Sequence, residues 1–273
     1  MTLPTNFQFS QASLSDYADC PRRFQLRYVL EQEWPAVESE PLIERERLAD
    51  LGRRFHRLVQ QHAYGLPVEQ LTRAAGADSD LARWWGNYLG LEIGNWRLSA
   101  DGDSLPLDRR AEVALSVPFG AHRLVAKYDL LATGDGRAVI VDWKTERRRP
   151  DRPSLLRRLQ TRVYRYVLAK SEPSLLPESI VMAYWFAEYP SEPEILAYDS
   201  TQFADDEIYL YRLLSEIESR SEVVWPLTSD ERKCRFCTYR SLCERGVVAG
   251  TAPEDELDID LEIDLEEINE IAY

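Results

Sequence analysis

The period of the apolar positions changes near residue 110. Before it, Leu48, Leu51, Phe55, Leu58 and Val59 recur at three and four, as do Leu81, Trp84, Trp85, Tyr88 and Leu89. That spacing lines one face of a helix and predicts helices near 13–28, 40–63 and 79–97. From 110 the period falls to two in AEVALSVPF, HRLVAKYDLLAT and RAVIVDWKT, with Asp135-Gly136 between the last two runs. Alternation of this kind predicts strands, and Asp-Gly between two of them predicts a hairpin. A helical run from Pro153 to Lys170 follows, then strand-like runs at 179–187 and 193–198 and a helix near 202–220. Helices, strands, helix, strands, helix is the order of an α/β body.

The hairpin has a chemical consequence. A two-residue turn sets the register so that Asp129 lies opposite Asp142 and Lys127 opposite Lys144. All four then share one face, while Tyr128, Leu130, Ala132, Val139, Val141 and Trp143 form an apolar face suited to packing on a helix. Two carboxylates placed opposite each other, with Cβ atoms roughly 5 Å apart, repel unless a cation sits between them. A divalent metal supplies that cation; a solvated, screened sheet face is the alternative. Lys144 on the same face, completing Asp-x-Lys after a buried run, shifts the balance toward chemistry. Two acids, a metal and an ammonium are what phosphodiester hydrolysis requires.

Composition adds a partition of charge. The chain has 273 residues, 44% of them hydrophobic, with 33 Lys+Arg against 47 Asp+Glu, a net −14. This excludes a disordered chain, a small disulfide-stapled one and a membrane span. Ten of the acids lie in the last twenty residues, which carry no Lys or Arg, so residues 1–253 hold only −4 of the total. Lys144 to Arg165, by contrast, holds nine cations against Glu146 and Asp151, a local +7 suited to a nucleic-acid phosphate backbone. The N-terminus has neither a basic start nor an apolar run of signal-peptide length, so a soluble, cytoplasmic protein is expected. In that reducing compartment the four cysteines are expected to be metal ligands or core thiols. Cys234, Cys237 and Cys243 occupy a short polar segment, which favours ligands, and a bare count of four favours zinc.

Asp129 followed by Asp142-Trp143-Lys144-Thr145 resembles the PD-(D/E)XK nuclease superfamily, specifically its RecB-like branch. Further motifs carry the resemblance across residues 10 to 245: Cys20-Pro21-Arg22-Arg23-Phe24, Gly52-Arg53-Arg54-Phe55-His56, Gln160-x3-Tyr164 and Cys234-x2-Cys237-x5-Cys243. Their order is similar to that of iron–sulfur-containing RecB-like nucleases, including the nuclease domain of AddB and CRISPR-associated RecB-like exonucleases. Ala126, Tyr128 and Trp143 depart from the residues usual in the family, without removing a ligand.

The resemblance implies a restriction-endonuclease-like core, a central mixed sheet flanked by helices, with a helical N-terminal region over 1–109. The core spans 110–220, a cysteine-cluster segment 221–250 and an acidic tail 251–273. It implies a Mg²⁺ or Mn²⁺ site held by His56, Asp129, Asp142 and the Trp143 carbonyl, with Lys144, Gln160 and Tyr164 completing the catalytic set. Glu112 stands at the position of a family acid and is either a support for the site or an ordinary strand carboxylate. Arg147, Arg148, Arg149, Arg158, Arg162 and Arg165 are the expected phosphate contacts. Cys20, Cys234, Cys237 and Cys243 are implied to hold a [4Fe–4S] cluster, with structural zinc as the alternative. The expected activity is a deoxyribonuclease, an exonuclease on single-stranded DNA ends, in repair, recombination or CRISPR adaptation. A non-catalytic DNA-binding subunit on the same fold is the rival. With no P-loop motif in the sequence, a helicase motor would come from a partner. Trp84, Trp85 and Trp96 are expected in the core. The alternating tail, Leu257 to Leu265, suits a disordered solubilising segment, an added edge strand, or a DNA mimic covering the basic groove.

Overall fold

A two-residue turn at Asp135-Gly136 sits at the centre of the architecture. Both residues take positive φ, 51° and 72°, the backbone a tight hairpin of this twist requires. In the computed structural model, which describes residues 3–4, 6–32, 40–91, 108–235 and 237–245, this turn joins β3 (His122–Gly134) to β4 (Arg137–Lys144). Pairing runs from Gly134↔Arg137 to Leu130↔Val141, in the expected register.

Around the hairpin lie β1 (Gln8–Phe9), β2 (Asp108–Phe119), β5 (Ile180–Phe186) and β6 (Tyr189–Ala197). β2 runs antiparallel to β3 along one edge. The other edge of β3 is shared, with β4 on residues 130–134 and β1, parallel, on residues 123–124. β4 continues to a parallel β5 and then an antiparallel β6, which makes the sheet mixed. The stretch of β3 between its two partners is where the functional groups gather.

Eight helices among the described residues cover the sheet: α1 (Gln11–Asp19), α2 (Pro21–Phe24), α3 (Glu40–Ala63), α4 (Val68–Ala75), α5 (Ser79–Leu89), α6 (Arg152–Arg157), α7 (Leu159–Ser171) and α8 (Ser200–Glu218). On one face α1, α2, α7 and α8 pack Leu14, Phe24, Val163, Val167 and Leu210 against Ala138 and Ile140 of β4. On the other, α3, α4 and α5 pack Phe55, Leu71, Trp84 and Trp85 against Val139, Val141 and Trp143. Strict alternation along β4 thus feeds two cores, and the tryptophans at 84 and 85 are core residues as expected.

Several expectations need correction. The helix near 13–28 is interrupted at Cys20, whose extended backbone (φ −161°, ψ 108°) precedes Pro21, and continues through a π-helical turn at Gln25–Val29. The run from 153 to 170 breaks at Arg158, whose ψ of 136° leaves the helical region, so it forms two helices. α4 was not anticipated, being short. Leu89 is exposed rather than on the buried stripe. Tyr128 lies in the core beneath α7, on the opposite side from Leu130, so β3 does not present one continuous apolar face. The switch occurs at Asp129, where the ladder to β2 skips a residue and the ladder to β4 has ended. Trp96, the end of the helix expected to reach 97, and the acidic tail lie outside the described residues.

Candidate active site

Where the β3–β4 ladder ends, a side chain takes over. No β3–β4 pair follows Leu130↔Val141, so the expected pairings of Asp129 with Asp142 and of Lys127 with Lys144 do not form; instead Trp143 N–H donates to Asp129 Oδ2 at 2.8 Å. The other oxygen, Oδ1, is 3.1 Å from His56 Nδ1. His56 arrives from α3, one turn after Gly52, where an added Cβ would meet Thr145 Oγ1 at 3.1 Å. Glycine therefore lets α3 approach the end of β4 and bring the imidazole in.

From the opposite layer α7 contributes Gln160, one amide serving two charged groups. Its Nε2 donates to Asp142 Oδ1 at 2.9 Å, and its Oε1 accepts from Lys144 Nζ at 2.8 Å. Lys144 also approaches Asp142 Oδ2 to 3.2 Å, although that buried oxygen has no directed hydrogen bond. Tyr164, one turn on, packs edge-on against Tyr128 with ring centroids 5.2 Å apart, and its carbonyl accepts the Tyr128 hydroxyl at 3.0 Å. The site thus straddles the sheet end, with α3 on one side and α7 on the other.

Glu112 joins the group, which local sequence left undecided. It holds a left-handed backbone (φ 56°) within β2 while the register on either side is unchanged. Its carboxylate, the His56 ring and Asp129 offer ligand atoms within 4.8 Å of one another. The family resemblance marks it in the sequence as a support for the site or an ordinary strand carboxylate, and the structure places it at the site.

Burial and neighbouring charges act on these groups in opposite directions. Burial raises the Asp142 carboxyl, Lys144 pulls it down and Asp129 pushes it up again, leaving it at about 6. Burial works against the charged form of Asp129 too, but His56 and the Trp143 N–H hold it below the usual carboxylate range. For His56 burial disfavours the cation, yet Asp129, Asp142 and Glu112 together lift it above the ordinary imidazole value. Glu112 is raised by burial and by Asp129 against the pull of Lys127. The imidazole of His56 and the carboxylates of Glu112 and Asp129 converge, and mixed imidazole and carboxylate donors of this kind fit Mg²⁺ or Mn²⁺.

The arginines are less available than their number suggests. Arg165 is 2% exposed, with its guanidinium on Asp206, the Thr161 carbonyl and the face of Tyr198; this corrects its expected place at the DNA. Arg162 pairs with Asp206 at 2.8 Å, Arg158 with Glu146 at 3.0 Å, and Arg149 with Glu192 and Glu194 at 2.8 Å each. Arg147 is exposed near Asp80, and Arg148 is exposed. Acids from other elements therefore cancel much of the local +7.

Cys20 is buried at the α1–α2 break, and Cys234, Cys237 and Cys243, from the other end of the chain, each feel its charge. Burial raises all three of those thiols, Cys237 to about 11, and the neighbouring Cys20 adds to each. Arg22 beside Cys243 and Arg23 beside Cys237 act the other way.

A search of curated proteins finds no match to the chain. Among solved structures, one similar to it is SSO0001, at 14% identity and a TM-score of 0.32, covering 50% of this chain and 59% of that one. Another is a protein from Eubacterium rectale described as a candidate exonuclease, at 10% identity and a TM-score of 0.45, covering 76% and 79%. The family model for the PD-(D/E)XK nuclease superfamily matches residues 8–244, a span that takes in every motif and both groups of candidate ligands. With the mixed sheet, the Asp129, Asp142 and Lys144 constellation and that match in hand, the chain belongs to the PD-(D/E)XK nuclease superfamily.

Proposed function

We propose that this nuclease hydrolyses DNA phosphodiester bonds with a divalent ion, as an exonuclease on single-stranded ends of the RecB-like type. The observation that carries the reading is the Gln160 amide held between Asp142 and Lys144 beside the His56, Glu112 and Asp129 donors. Mg²⁺ or Mn²⁺ bound there would polarise the scissile phosphate and make a water more acidic. His56, Asp129 and Asp142, with the Trp143 carbonyl, are the proposed holders, and Glu112 is added to them. Lys144, enclosed and fixed by Gln160, stabilises charge developing on the phosphorane. Tyr164, packed on Tyr128, keeps α7 and hence Gln160 in position. Arg147, Arg148, Arg149, Arg158 and Arg162 contact the DNA backbone.

The same reading gives Cys20, Cys234, Cys237 and Cys243 a [4Fe–4S] cluster that ties the two ends of the chain together. Four thiols drawn together from distant parts of the chain, with Arg22 and Arg23 beside them to offset the cluster's negative charge, support it. A partner in repair, recombination or CRISPR adaptation would supply any motor.

End-labelled single- and double-stranded DNA, incubated with anaerobically purified protein, tests the substrate. Metal-dependent shortening of single strands from one end is expected; internal cuts, or equal action on duplex ends, contradict the exonuclease reading. Visible absorbance near about 400 nm, lost in Cys20→Ser, is expected of the cluster, and colourless protein containing zinc contradicts it.

A further inference from the structure

The site contains two lysines in unlike settings. Lys144 is 9% exposed, enclosed between Gln160 and Asp142. Lys127, two residues before Asp129 on β3, is 32% exposed, and its Nζ sits 2.8 Å from Glu112 Oε2. One cation is built into the interior of the site and the other stands at its rim.

The partner of Lys127 is unusual. A glutamate at φ 56° in a strand is strained, and only residue 112 makes that turn, because Ala111↔Leu130 and Val113↔Tyr128 share one register. The fold therefore holds this carboxylate among His56 and Asp129. Without a metal, Glu112 has Lys127 as its ion-pair partner. Once a divalent ion is held by these donors, Glu112 is neutralised by it, and Lys127 faces a like charge across the same carboxylate. Its favourable counter-ion is then an anion arriving from solvent. A phosphate whose oxygen approaches the ion brings one beside it.

We propose that Lys127 is a metal-gated phosphate contact: bound by Glu112 in the metal-free protein, it is released to a DNA backbone phosphate when the divalent ion binds. The inference rests on the metal-dependent nuclease reading and deepens it by making DNA and metal binding mutually reinforcing. Lys127 acts on affinity, and Lys144 on the reacting phosphate.

Equilibrium binding separates the two. In a Lys144→Met background, anisotropy of a fluorescein-labelled single-stranded 15-mer is followed with EDTA or with Mn²⁺ across a salt series. Mn²⁺ is expected to tighten binding roughly tenfold, within the usual range of coupling between sites. Adding Lys127→Met should reduce that gain to below about threefold and make the salt dependence shallower by about 0.7, the loss of one single-strand phosphate contact. Lys127→Gln keeps a donor for Glu112 without the charge, so it should behave as Met does, whereas Lys127→Arg should restore both quantities. An unchanged metal gain and salt slope in Lys127→Met, or full rescue by Gln, would overturn the proposal. Rescue by Gln would mean that Lys127 only props Glu112. Cleavage of the oligonucleotide in the Lys144→Met background would instead count against the catalytic reading itself.

Discussion

The Asp129 carboxylate replaces a rung of the sheet. Its Oδ2 accepts the Trp143 N–H at 2.8 Å one step beyond the last β3–β4 backbone pair, while its Oδ1 faces His56 at 3.1 Å. A structural bond and a candidate ligand bond thus share one side chain. Asp129→Asn keeps an oxygen for Trp143 but loses the charge. Cleavage is expected to fall on the order of 10²–10³-fold, with melting within about 3 °C of wild type. Asp129→Ala also strands the Trp143 N–H and should cost about 1–3 kcal/mol in urea unfolding.

Gln160 bridges Asp142 and Lys144, so Gln160→Leu leaves both without their neutral partner. A turnover loss of roughly 10–100-fold is expected, the usual effect of removing a group that orients a ligand, with KM for DNA changed little. A matching rise in KM instead would mean that Gln160 contacts substrate directly.

The acidity of the site sets the pH at which metal binds. Burial lifts Asp142 to about 6, and ligation needs its carboxylate form. His56, lifted by its acidic neighbours, must likewise lose a proton. Mn²⁺ affinity is therefore expected to strengthen as pH rises through about 6, read by thermal shift at fixed Mn²⁺. In the metal-free protein the sign is opposite. A carboxyl raised on folding gives its full stabilisation below the unfolded value of 3.8 and loses it as pH rises through about 6. Metal-free Asp142→Asn should flatten that decline, and an unaltered profile would contradict the assignment.

Arg165 is a structural cation. Asp206, itself 2% exposed, holds it together with Arg162, joining α7 to α8. Arg165→Met is expected to lower stability by about 3–5 kcal/mol, because Asp206 keeps a buried charge with one fewer partner, while the salt slope of DNA binding stays unchanged. Arg148→Met should do the reverse.

Much of this was legible before the fold. The Asp135-Gly136 turn determines the β3–β4 register, and from it follow the approach of Asp129 to β4 and the position of Lys144. Gln160 and Tyr164 were readable only through the family resemblance, since their helical spacing alone fits any amphipathic helix. What local pattern could not supply was long-range pairing. Arg165 reads as a basic helix position until Asp206, 41 residues later, covers it. Glu112 reads equally as a site support or an ordinary strand carboxylate until a single left-handed residue brings it to His56. Tyr128 follows strand alternation that the distortion at Asp129 reverses.

The central claim is that these groups form one metal-dependent hydrolytic site. Its most direct test is cleavage of labelled single-stranded DNA by the full chain, with Mn²⁺ or EDTA, beside Asp142→Asn and Lys144→Ala. The account predicts products only from wild type with metal, and a loss on the order of 10²-fold or more in each variant. Cleavage that persists in EDTA, or survives both substitutions in protein that still folds, would contradict it.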